Sequence, residues 1–204
     1  MVTDGIWWYV ARSAGIVAWI LLATSVLWAA ALASRLFVKR PKAPWILDLH
    51  GGVSNLAVVF TGVHLVGLYL DDYVEFGLKE LLVPLTSTYR PVAVAWGIVA
   101  VYLLAALQAT SLLKKRMSHK AWRKVHHLAL PTYVLATVHL FTAGTDASHA
   151  ALSIAAYAVS GMILALGLTR LWAPKGRLPR PARSAKASAS PAKTPATATE
   201  PSSG

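Results

Sequence analysis

The sequence contains no cysteine. That removes disulfides, thiolate metal sites, iron–sulfur clusters and covalent haem attachment through a C-x-x-C-H motif, so any metal or haem has to rest on histidine. Acidic residues are scarce, with 8 Asp and Glu against 20 Lys and Arg and a formal net charge of +12. Only 14% of the 204 residues are charged while 56% are hydrophobic, and the mean hydropathy is +0.53. Soluble domains are not built on so little charge; long apolar runs of this kind belong to transmembrane helices. A basic excess in a soluble chain would raise nucleic-acid binding, but here its placement along the chain points to a bilayer instead.

A span of the hydrocarbon core needs roughly 20 apolar residues. Five segments meet that requirement: 6–34, interrupted only by Arg12, then 47–70, 91–113, 125–142 and 151–172. The first is long and lacks both a basic leader and a small-residue cleavage site, so it is expected to be a retained span and not a signal peptide. Lys and Arg in the short loops set the orientation. The link between spans one and two holds Arg35, Lys39, Arg40 and Lys42. The link between spans three and four, "KKRMSHKAWRK", holds six basic residues, and the stretch from Arg170 onward holds seven. The opposite loops carry Asp4, Asp71, Asp72, Glu75, Glu80 and Asp146 against only Lys79 and Arg90. The basic side is expected to be cytoplasmic, with the N-terminus outside and the C-terminus inside.

The expectation is therefore an all-α integral membrane protein of the cell membrane, a bundle of about five transmembrane helices over residues 1–172. The remainder, 173–204, is rich in Pro, Ala, Ser, Thr and Lys and is expected to be a disordered cytoplasmic tail, its basic part lying on anionic headgroups. The outer stretch "DDYVEFGLKELLVPLTSTYRP" mixes acidic and apolar residues, which suggests a short amphipathic helix on the outer surface. Trp7, Trp8 and Tyr9 read as an interfacial belt. His119 and His149 fall in loops and are expected to be solvated.

Two spans carry paired histidines. "LHGGVSNLAVVFTGVHLVG" holds His50 and His64, fourteen apart; "VHHLALPTYVLATVHLF" holds His126 and His139, thirteen apart. Both spans run outward, so His50 and His126 lie near the inner ends, and His64 and His139 about 20 Å further out at about 1.5 Å per residue. A spacing of fourteen returns to within roughly 40° of one helix face, whereas thirteen leaves about 140°. Pro131 lies between the second two and is expected to kink the helix. Ionisable residues at this depth are functional by default, and four of them paired by depth are hard to read as ordinary interhelical hydrogen bonders. Layers about 20 Å apart cannot share one ion. A two-ligand layer suits a planar macrocycle with one imidazole on each face, so two b-type haems use all four residues. Gly51, Gly52, Gly62 and Gly67 open one face of span two, either to a porphyrin or to a close neighbouring helix. Arg12 is read as the partner of a haem propionate near His64 and His139, with snorkelling to the interface as the other use of its charge.

Histidines at spacings of fourteen and thirteen, on two spans separated by one other, resemble the ferric reductase-like transmembrane domain. That family includes NADPH oxidases, ferric-chelate reductases and the haem-binding membrane subunit of the periplasmic methionine sulfoxide reductase system. "WYVARSAGIVAW", "HGGVSNLAVVFTGVH" and "WRKVHHLALPTYVLATVH" look like its three signature regions, and the similarity covers about residues 6–172. The resemblance implies two non-covalent bis-histidine b haems. The inner falls to His50 and His126, preferred over His127 on the family spacing alone, and the outer to His64 and His139. Arg12 resembles the family arginine near the outer haem.

Two departures stand out: the family core usually has six spans, and no G-x-G-x-x-G or P-loop is present for flavin or nicotinamide chemistry. The expected function is transmembrane electron transfer from a separate cytoplasmic flavin reductase or a quinone to an outer acceptor (a ferric chelate, oxygen or an oxidoreductase partner), without nucleic acid. Whether the chain alone is an enzyme stays open. The rival readings are a histidine-relay transporter or proton channel, which would be colourless, and a non-catalytic haem-binding subunit.

Overall fold

A computed structural model describes residues 5–34, 44–72, 74 and 76–172. The basic link expected between the first two spans and the tail from residue 173 lie outside these residues. Every secondary-structure element among them is helical: α1 (Ile6–Ala33), α2 (Pro44–Tyr69), α3 (Leu78–Leu82), α4 (Pro91–Leu112), α5 (His119–His126), α6 (Ala129–Ala143) and α7 (Ala150–Trp172). Short 3-10 turns lie at Lys114–Arg116 and Thr145–Ser148. Four helices are long and apolar enough to cross a membrane, over Ile6–Ala33, Trp45–Tyr69, Pro91–Leu112 and Ala150–Thr169. Large apolar side chains such as Leu56, Val59, Ile154 and Leu164 stand exposed on their outer faces, as befits helices whose solvent is lipid.

The predicted span 125–142 differs from its expected form. It is two helices, α5 and α6, joined by a tight turn at His127 and Leu128, where the Leu128 N–H bonds to Val125 O only three residues back at 2.9 Å. The cause is Pro131. It has no N–H for the carbonyl of His127, and its ring is tolerated only in the first turn of a helix, where that donor would be unpaired anyway. The helix therefore restarts at Ala129. At 15 residues, α6 covers only about 22 Å at 1.5 Å per residue, less than any of the four helices long and apolar enough to cross a membrane.

Packing is organised as two tight helix pairs, α1 on α2 and α4 on α6, with α1 also touching α6 and α7. Gly67 explains the first pair: a Cβ there would sit 2.9 Å from the backbone nitrogen of Ala11, so only glycine allows the approach. Trp19, Tyr133, Leu140, Ala156 and Ile163 form the buried core between α1, α6 and α7. Polar ties cross it: Trp19 Nε1 donates to Thr137 Oγ1 at 3.0 Å, and Tyr133 Oη meets Ser160 Oγ at 2.8 Å. Each such interhelical bond contributes about 0.6 kcal/mol in a membrane setting. The outer loop is less superficial than expected. Its helix α3 is only 5 residues long, and Phe76 is buried against Val94 and Ile98 of α4.

Candidate functional site

The bundle brings the four span histidines together as two pairs. His50 of α2 and His126 at the end of α5 have ring centroids 6.2 Å apart with an interplanar angle of 76°. His64 of α2 and His139 of α6 have centroids 6.4 Å apart at 75°. The terms inner and outer below follow the orientation expected from the loop charges. His127 is exposed, and the ring paired with His50 is that of His126. The turn at His127–Leu128 helps make this possible: 3-10 winding adds about 20° per residue, which takes the two rings from about 140° to about 100° apart before any bend of the axis is counted.

Three of the four rings have Nδ1 engaged. His64 Nδ1 lies 2.7 Å from Ala11 O and His139 Nδ1 lies 2.9 Å from Ala93 O. A carbonyl only accepts, so both rings carry their proton on Nδ1 and their lone pair on Nε2. His50 Nδ1 meets Ser25 Oγ at 3.2 Å, Ser25 Oγ meets Ser54 Oγ at 2.8 Å, and Ser54 Oγ donates to His50 O at 2.8 Å. Each hydroxyl has one proton. With that of Ser54 on the carbonyl, Ser25 donates to Ser54 and accepts from His50 Nδ1–H, so this ring too presents Nε2. His126 Nδ1 is buried without a hydrogen-bond partner among the described residues; its ring stacks on Trp122 at 4.7 Å between centroids.

The outer pair opens on an apolar cavity whose wall includes Trp19, Leu104 and Leu140, with Phe76, Leu81 and Tyr89 contributed from the loop side. Arg12 also lines it, but its charge is met by Asp146: Arg12 Nε donates to Asp146 Oδ2 at 3.0 Å and a second nitrogen donates to Oδ1. The guanidinium lies over the Trp8 ring, 5.7 Å from its centroid. Trp8 thus faces inward while Trp7 and Tyr9 are exposed. The hydrogen bond from Arg12 holds the Asp146 carboxyl below the usual carboxylate range. His149 is exposed with Nε2 3.7 Å from Asp146 Oδ1, and His119 lies beside Trp122 at 5.9 Å between centroids.

Gly51, Gly52 and Gly62 face open space, whereas Gly67 serves helix packing. Two other glycines, Gly15 and Gly97, abut the rings of His64 and His139; single glycines on spans one and three carry no sequence signal of their own. Ser25 and Ser54 were equally hidden, because nothing in a sequence says which helix faces which.

A family model described as ferric reductase like transmembrane component matches residues 14–137, more than half of the chain. The chain belongs to this family. The matched segment contains His50, His64 and His126, with Arg12 and His139 just beyond its two ends. No curated protein and no solved structure matches the chain.

Ferric reductase-like domains often bind haem, and the four histidines fit that group. Two imidazoles on opposite faces of one metal, at about 2.0 Å per bond, put their ring centroids roughly 6 Å apart. Both pairs stand near that separation. Among the described residues no three His, Cys, Asp or Glu side chains gather closely enough to hold a metal ion; each pair brings two imidazoles together.

Proposed function

We propose that this chain carries single electrons across the cell membrane through two non-covalent b-type haems, one between His50 and His126 and one between His64 and His139. Such haems, when bound, supply one-electron exchange at iron. The protein supplies the rest. The Nδ1–H bonds of His50, His64 and His139 aim their lone pairs and raise their basicity as ligands. The apolar wall of the outer cavity keeps water from the pair. Arg12 has five N–H donors, and those not used by Asp146 remain for a propionate at the cavity mouth. The electrons come from a cytoplasmic flavin reductase or a quinone. The acceptor lies on the outer side and is a ferric chelate, oxygen or an oxidoreductase partner.

The observation that carries this reading is the matched geometry of the two pairs, each at a separation that suits one metal between two imidazoles. The transporter reading asks for unwound backbone near the middle of the membrane, but the break at His127–Leu128 adjoins the inner pair. Reconstitution tests the proposal. Vesicles with ferricyanide trapped inside and dithionite added outside should lose internal ferricyanide when they carry the wild-type protein, and His64→Ala should abolish that loss. Reduction no faster than in protein-free vesicles would overturn it.

A further inference from the structure

The two outer histidines lean on different helices in the same way. His64 reaches from α2 to the carbonyl of Ala11 on α1, and the residue four positions on is Gly15. His139 reaches from α6 to the carbonyl of Ala93 on α4, and the residue four positions on is Gly97. In a helix the carbonyl of residue i already accepts from the N–H of i+4, so an outside donor must approach its second lone pair past the side chain at i+4. Glycine leaves that approach open. A Cβ on Gly15 would stand 2.9 Å from His64 Nδ1 and 3.1 Å from its Cε1. One on Gly97 would stand 2.7 Å from both Nδ1 and Cε1 of His139. In each case the atoms struck belong to the imidazole and not to backbone, so the ring is what has to move.

We infer that Ala11-x3-Gly15 and Ala93-x3-Gly97 are a matched pair of backbone cradles that make Gly15 and Gly97 positioning residues for the outer haem. Each glycine admits one imidazole edge to a helix carbonyl, and that carbonyl fixes both the Nδ1–H tautomer and the direction of Nε2. The inner pair has no such device: His50 is set by the hydroxyls of Ser25 and Ser54, and His126 Nδ1 has no partner among the described residues. The cradles therefore act on the outer site alone. This inference rests on the haem reading for its consequence but not for its geometry, and the test separates the two.

The test compares full-length Gly15→Ala, Gly97→Ala and Gly161→Ala, the last facing open space on α7. Haem per chain is counted as pyridine haemochrome, with low-spin EPR signals recorded on the same samples. The expected result is two haems in wild type and Gly161→Ala. Gly15→Ala and Gly97→Ala are expected to hold one, the outer low-spin signal being lost and the inner unchanged. Retention of both haems with unchanged EPR in both cradle variants would overturn the inference, as would loss of both haems from both, which would make the glycines determinants of the whole bundle. Nitrogen-15 NMR of labelled histidine in the wild-type chain, recorded without haem, should show His64 and His139 protonated on Nδ1. Protonation on Nε2 would overturn the inference even if haem binds. A wild-type chain that binds no haem but shows the Nδ1 tautomers would sink the proposed function and leave the cradles standing.

Discussion

At the scale of single residues, the two sites differ in what holds the proton of each ligand. The closed ring His50 Nδ1–Ser25–Ser54–His50 O depends on every member, because each hydroxyl both accepts and donates. Ser25→Ala removes the acceptor of the His50 proton. Outer-shell partners of this kind are worth about 10- to 100-fold in metal affinity, so Ser25→Ala should release the inner haem roughly tenfold more readily. The outer haem should be retained as in wild type, as a haem-transfer assay to excess apomyoglobin would show. Arg12 and Asp146 make a second residue-scale prediction. The Asp146 pKa is depressed by the hydrogen bond from Arg12, so the pair's stabilisation is fully present above the ordinary carboxylate pKa of about 4. It is lost as pH falls through the lower folded value. The midpoint of thermal unfolding should thus fall with acid more steeply in wild type than in Asp146→Asn. At neutral pH the variant should be less stable by about 1–2 kcal/mol, since the pair is partly exposed and screened. Parallel acid dependences in the two proteins would contradict this account of the pair.

At the scale of elements, α2 was legible and the α5–α6 segment was only partly so. A spacing of fourteen in an uninterrupted helix keeps His50 and His64 on one stripe, and α2 runs unbroken from Pro44 to Tyr69. A spacing of thirteen does not, and the ideal-helix angle made His126 and His139 look badly phased. Pro131 signalled a kink, but the site and winding of the break depend on where the freed carbonyl and the next helix start are accommodated, which is a tertiary matter. The same limit applies to the outer loop. Its amphipathic pattern suggested a surface helix, whereas burial of Phe76 draws it into the bundle. The turn at His127–Leu128 carries a prediction. One alanine inserted between Leu128 and Ala129 rotates α5 by about 100° relative to α6 and should turn His126 away from His50. Haemochrome content should drop by half with the outer low-spin signal intact. An insertion variant that keeps both haems would show that the turn does not set the inner pair.

At the scale of the whole molecule, the class of fold was plain from composition alone, because so few charges and such long apolar runs leave only a helical bundle in lipid. The four histidines were also visible as two depths. What sequence could not supply was the set of neighbours on α1 and α4, since Ala11, Ser25 and Ala93 act through packing between helices far apart in the chain. The bundle built from these parts is a scaffold with two histidine pairs about 20 Å apart along α2, at about 1.5 Å per residue. The most direct measurement is an oxidised and dithionite-reduced absorption spectrum of the detergent-solubilised protein from haem-replete cells, with a pyridine haemochrome count. The account predicts sharp low-spin b-type bands and about two haems per chain, falling to about one in each of His50→Ala and His64→Ala. A colourless protein would contradict it.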